Sequence, residues 1–150
     1  MSPPVLSGAG GYTVTTASWD TDRADLMHVR RRVFIDEQRV PEALEWDDDD
    51  AICIHVLAWD PKRDAVGTAR LHPSGRVGRV AVLKEHRGSG VGMLLMTALI
   101  SLAGREEIGR LVLHSQVQAL GFYRRLGFVP FGEEFLEAGI AHIGMQLTLK

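Results

Sequence analysis

Cysteine is almost absent: Cys53 is the only one in 150 residues. An intrachain disulfide is therefore excluded, and a reducing compartment is the expected setting. Cys53 lies in an apolar run, where a thiol more often packs as a small hydrophobe than acts as a nucleophile. Long apolar runs are missing too, and no stretch approaches the ~20 residues of a membrane span. Residues 1–11 hold Pro, Ser and Gly but neither a basic start nor an apolar core, so they do not read as a secretory leader. There is no excess of positive charge: 17 Lys and Arg against 19 Asp and Glu give a formal net charge of −2. The basic residues fall in small groups (Arg30 to Arg32, Lys84 with Arg87, Arg124 with Arg125), not in the stripe a nucleic-acid binder shows. Neither nucleic acid nor membrane is an expected partner, and the expected location is cytoplasmic. The 6 histidines are scattered, with no His-x-x-x-His pair and no cysteine at ligand spacing, so no metal is expected. The Gly-x-Ser-x-Gly elbow of a serine hydrolase does not occur.

What is present is the composition of one folded domain, 45% hydrophobic and 24% charged. Its most specific feature is Arg87-Gly88-Ser89-Gly90-Val91-Gly92, between an expected strand (Gly78 to Val82) and an apolar helical run (Met93 to Leu102). Glycines let backbone approach a ligand closely, and the first turn of a helix offers unpaired N–H groups to an anion. Arg87 adds a fixed positive charge. A P-loop would need Lys-Ser or Lys-Thr, and neither dipeptide exists in the chain. A dinucleotide fingerprint would need a third glycine where Met93 or Leu95 stands. The remaining pattern, Arg-x-x-Gly-x-Gly after a strand, resembles the acyl-CoA loop of the GNAT N-acetyltransferase superfamily.

A second segment, Gln116-Val117-Gln118-Ala119-Leu120-Gly121-Phe122-Tyr123-Arg124-Arg125-Leu126-Gly127-Phe128, is similar to that family's Asn-x-x-Ala-x-x-Phe-Tyr-x-x-x-Gly-Phe signature. Gln116 stands where the family usually has Asn. Ala119, Phe122 and Leu126 also read as an ordinary buried helical stripe. Phe34 to Pro41, the acidic tract after it, and Gly127 to His142 resemble the ElaA-like branch.

Residues 1–11 read as a flexible lead, and residues 12–150 as the domain. Within it the pattern predicts a strand at Tyr12 to Ala17 and a helix from Asp20 or Thr21 to about Gln38. Strands follow at Ala51 to Trp59, Ala65 to Leu71 and Val77 to Leu83, then the glycine loop and its helix. Arg110 to His114 reads as a strand and Gln116 to Leu126 as a helix. The closing strands, Phe128 to Phe131 and Ile140 to Leu149, are joined by a loop at Gly132 to Gly139. This order implies an α/β (α+β mixed) sheet with helices on both faces, as in the GNAT fold.

The resemblance implies acetyl-CoA as cosubstrate and a small-molecule or peptide amine as acceptor. Transfer would be direct, with no covalent enzyme intermediate. It places main-chain groups of Val80, Ala81 and Val82 along the pantetheine arm. The diphosphate falls to Arg87, Gly88, Ser89, Gly90, Val91, Gly92 and Met93, with Gln116 and Phe122 also on the cofactor side. Tyr123 becomes the acid that protonates the departing thiolate, and Glu37 a base. Phe34, His114, Glu133 and His142 frame the acceptor, the last three also being candidate bases. Trp46 to Asp50 reads either as a solvated loop or as an acidic rim attracting cationic amines. A homodimer through the C-terminal strands is a further implication. The alternatives are a non-catalytic acyl-CoA sensor and a nucleotide-binding enzyme using the same loop.

Overall fold

The computed structural model describes residues 4–149. In chain order these form β1 (Pro4–Ser7), β2 (Thr13–Ala17), α1 (Arg23–Arg30), α2 (Glu42–Glu45), β3 (Ile54–Trp59) and β4 (Ala65–Leu71). There follow β5 (Arg76–Val82), α3 (Val91–Arg105), β6 (Arg110–Gln116), α4 (Leu120–Arg125), β7 (Val129–Glu137) and β8 (Ile140–Thr148). One 8-stranded mixed sheet runs β1-β2-β3-β4-β5-β6-β8-β7. Every neighbouring pair is antiparallel except β5 with β6.

The fold class is the expected one. β4 is buried along its whole length because both of its faces are covered. On one face Gly67 abuts Leu95 of α3. On the other Arg70 shares Asp50 with Arg30 of α1. α3 buries Val91, Leu95, Met96, Ala98, Leu99 and Ala103, the three-and-four spacing its sequence advertises.

Three local expectations are corrected. The lead is not free, since Pro4–Ser7 pairs with β2; residues 1–3 lie outside the described part. The first helix is α-helical only to Arg30 and continues to Glu37 in π-helical geometry, with Gln38 N–H donating to Val33 O. A π turn adds a residue to the ladder without altering composition, so periodicity does not show it. The C-terminal loop is also shorter than expected. β7 runs to Glu137, and its bulge lies between Phe131 and Phe135.

The acidic tract is only partly solvated: Asp47 and Asp48 are exposed, but Asp50 is buried and both Asp47 and Asp50 are held by arginines. Arg30, 1% exposed, donates from Nε to Glu45 at 2.8 Å and from Nη1 to Asp50 at 2.7 Å. Arg70 reaches Asp47 and Asp50, both at 2.8 Å. Arg79 reaches Glu45 at 3.0 Å and Asp47 at 3.2 Å. Trp19 and Trp46 lie over the Arg30 guanidinium at 5.5 and 5.1 Å. Burial alone would raise the Asp50 and Asp47 carboxyls, but the Arg30 and Arg70 bonds outweigh it and hold both below the ordinary value. At Glu45 burial wins over Arg79 and Arg30, and the carboxyl sits above its ordinary value. The network ties α1, α2 and the acidic turn to β4 and β5.

Removing one partner from such a network strands a buried charge. Arg30→Ala should therefore lose about 3–5 kcal/mol of unfolding free energy in urea, whereas Arg31→Ala, at an exposed pair with Glu42, should leave the midpoint in place. Asp47 and Asp50 stabilise fully above ~3.9, and that contribution drains away as pH falls through their lower folded values. Glu45 acts in the opposite sense but is one group against two. The urea midpoint should thus fall as the pH drops below about 4, and by less in Asp50→Asn.

Candidate active site

β5 and β6 are in register only at Arg76 with Val112 and Val77 with Leu113, and then they diverge. β6 stays paired with β8 from Arg110 to Gln116. β5 instead follows β4, with a bulge: Thr68 faces Ala81 and Arg70 faces Gly78, so β5 holds one residue too many. Arg79 in the bulge has φ 53°, a left-handed conformation costing an L-residue ~1 kcal/mol. Its guanidinium holds it there through Glu45 Oε2, Asp47 Oδ2 and the carbonyls of Leu44 and Glu45. The joined end is fixed at Gly75, φ +98°, where any Cβ would sit 2.2 Å from the Arg110 carbonyl.

Divergence opens a cleft of about 450 Å³. It is lined by Val80 of β5, His114 and Gln116 of β6, Tyr123 of α4, and Phe34 and His142. The structure therefore brings six of the sequence-derived residues together. Tyr123 is buried against Phe122 and Phe128, ring centroids 4.9 and 5.9 Å away. Its hydroxyl makes no hydrogen bond to any described residue. Burial raises the phenol above its ordinary value, so it keeps its proton at neutral pH.

The glycine loop lies outside that lining, between the end of β5 and the start of α3. Gly90 has φ 86° and opens α3, whose first main-chain bond from this side runs from Leu94 N–H to Gly90 O. No described residue accepts from the amides of Gly88 through Met93. Ser89 Oγ turns back to the His86 carbonyl. Phe122 seats its ring where a Cβ on Gly92 would lie, 3.3 Å away. The alternation of β5 separates its three predicted main-chain contacts. Leu83 N–H donates to Val66 O, and the Ala81 carbonyl leans on Gly67, so Ala81 turns toward β4. Val80 and Val82 turn toward the gap.

Glu37 does not line the cleft. Arg87 grips it with two bonds of 2.7 Å and also donates from Nε to the Val82 carbonyl at 2.9 Å. The hydrogen bond from Arg87 holds the Glu37 carboxyl below its ordinary value, which weakens it as a base. The π-helical segment aims Glu37 at the loop while directing Phe34 and Gln38 to the cleft. Glu133 also lies outside the lining, displaced by the β7 bulge; Glu137 stands there instead. Gln116 ends β6 rather than starting a helix, and its amide donates to Gln38 Oε1 at 2.9 Å. Glu137, Gln38 and Glu45 are cleft residues that sequence motifs did not signal. Among the described residues no cluster of His, Cys, Asp or Glu has the arrangement to hold a metal ion.

The Acetyltransferase (GNAT) domain family matches residues 22–149. The chain belongs to the GNAT family. The N-acetyltransferase YjcF of Bacillus subtilis (strain 168), an uncharacterized protein, is 37% identical over 126 residues, 81% of this chain and 89% of its own. Protein ElaA of Escherichia coli (strain K12) is 33% identical over 128 residues, covering 80% of this chain and 83% of its own. The crystal structure of Escherichia coli ElaA superposes with a TM-score of 0.79 at 28% identity, covering 89% of this chain and 97% of that one. An acyl-CoA N-acyltransferase from Pseudomonas aeruginosa superposes at 0.81 with 29% identity, covering 91% and 99%. The GNAT fold binds acyl-CoA, and the unpaired loop amides and the gap beside Val80 fit such a ligand. Among the described residues no helix is long and apolar enough to cross a membrane.

Cys53 plays no part in this GNAT cleft. Burial pushes its thiol up to about 11. Alkylation by iodoacetamide should be slow at pH 8 and accelerate as pH approaches that value, because only the thiolate reacts. Rapid labelling at pH 7 would contradict the assignment.

Proposed function

We propose that the protein transfers an acetyl group from acetyl-CoA to a primary amine, directly and within a ternary complex. The observations that carry this reading are the unbonded Tyr123 hydroxyl on the cleft and the unpaired loop amides, linked through Phe122, which packs on Gly92. Bound acetyl-CoA supplies a thioester, whose C–S bond breaks as the amine nitrogen forms its bond to the acyl carbon. The amides of Gly88 through Met93 take the diphosphate, assisted by the first-turn dipole of α3. Val80 and Val82 offer main-chain groups to the pantetheine arm, as an added strand would use them. Arg87 joins the diphosphate by exchanging Glu37 for a phosphate oxygen.

Two protons must be managed. An alkylamine with pKa ~10.4 is mostly charged at pH 7, and presenting it neutral costs about 4.6 kcal/mol. A base on the acceptor side lowers that cost. Tyr123, whose proton is firmly held, donates to the sulfur as negative charge develops there. Phe34 and His142 wall the acceptor end. The exposed side chains Val129, Phe131, Phe135 and Leu136 on the edge strand β7 support a homodimer through that edge. A cytoplasmic location fits the near absence of cysteine.

Thiol release from acetyl-CoA across a panel of amines tests the reading. Turnover with at least one amine is expected, and Tyr123→Phe should lower kcat about 100-fold. Binding of acetyl-CoA without turnover on any amine would instead favour the sensor. Glu37→Gln should keep kcat and lower the KM for acetyl-CoA, since it frees Arg87 and removes a negative charge beside the diphosphate. A large loss of kcat in that variant would restore Glu37 as the base.

A further inference from the structure

We propose that Glu137 is a positioning residue for His114, and that His114 so oriented is the base that takes the acceptor's proton. This rests on acyl transfer to an amine in the cleft described above. Both side chains line that cleft, and His114 Nδ1 lies 2.9 Å from Glu137 Oε1. A carboxylate can only accept, so Nδ1 carries the hydrogen, and in the neutral imidazole this leaves the lone pair on Nε2.

Local structure fixes the pair. Glu137 and Ile140 flank a two-residue turn whose central residues, Ala138 and Gly139, have φ 52° and 77°. Two left-handed residues in sequence match the twist of a hairpin, so the turn sets where Glu137 stands. Phe135 packs edge-on against the His114 ring at 4.9 Å, which restrains its rotation.

The neighbouring charges leave Glu137 available. The other carboxylate lining the cleft, Glu45, is taken by Arg30 and Arg79, while Glu137 pairs with no arginine among the described residues. Arg76 and Arg79 of β5 also line the cleft; Arg76 approaches Asp49 at 3.5 Å. His142 is the rival imidazole. Its Nδ1 donates to the Ile140 carbonyl at 2.7 Å, and its Nε2 lies 3.8 Å from Glu137 Oε2, too far for a hydrogen bond. Its side chain is 9% exposed against 43% for His114, so an incoming acceptor meets His114 more openly.

In the step itself His114 Nε2 bonds the ammonium proton and the N–H bond breaks. The freed nitrogen pair forms the bond to the acyl carbon, and the C–S pair departs on sulfur. Tyr123 protonates that sulfur; the bonded nitrogen then gives up its second proton, which passes through water to restore Tyr123, and the proton on His114 leaves to solvent, so one proton is released per turnover.

Two measurements test the proposal. In ¹⁵N-labelled protein at pH 8, His114 should show the Nδ1–H tautomer, and Glu137→Ala should switch it to Nε2–H. An Nε2–H tautomer in the wild type overturns the pairing, whether or not any acceptor is turned over. In the acyl-transfer assay Glu137→Ala should lower kcat about 10-fold with the KM for acetyl-CoA unchanged. His114→Ala should lower kcat about 100-fold, with partial recovery on adding imidazole. Unchanged kcat in both variants overturns the base assignment while acyl transfer stands; a wild type inert toward every amine overturns both.

Discussion

Three arginines, two of them buried, are held by three carboxylates and organise this protein around an opening rather than around a closed core. Arg30, Arg70 and Arg79 converge with Glu45, Asp47 and Asp50 between α1, the acidic turn and strands β4 and β5. Such networks seldom add stability over a well-packed apolar alternative, but they punish any arrangement that leaves a member unpaired. Here the favoured arrangement includes Arg79 in a left-handed bulge, a conformation that a shorter side chain would have little reason to keep. The clamp lies on β5 at the level where the sheet parts.

The parting follows from divided pairing. β6 keeps its full ladder with β8, and β5 keeps its own with β4 by absorbing an extra residue. Neither ladder is sacrificed, so the parallel seam between β5 and β6 gives way after two residue pairs. What is left on the β5 side is main chain with no strand partner, at Val80 and Val82. On the far flank the glycine loop leaves a second row of donors unpaired. Arg87 and Glu37 stand at the loop, and Glu137 with His114 and His142 at the hairpin.

How much of this was legible follows from what each signal depends on. The glycine loop and the Tyr123 segment were readable because a backbone that must approach a ligand needs particular residues at fixed spacing. The order of the strands was readable from alternation. The π-helical turn was not, since Arg31 to Glu37 carry the same composition in either geometry, and its extra residue is what turns Glu37 from the cleft to Arg87. The acidic tract misled because a run of aspartates looks solvated, while its arginine partners are 20 and more residues away in sequence. Sequence does not say which way a strand's amides face, so it does not separate Ala81 from Val80 and Val82. Glu137 carried no motif; only the hairpin register brings it to His114.

The central claim is that the seam between β5 and β6 and the amides at the start of α3 form one continuous site for acyl-CoA. A crystal structure of the protein with bound CoA tests it most directly. The account predicts the diphosphate against the amides of Gly88 through Met93 and the pantetheine arm in the gap beside Val80. CoA bound on another surface, or β5 and β6 zipped together beyond Val77 and Leu113, would contradict it.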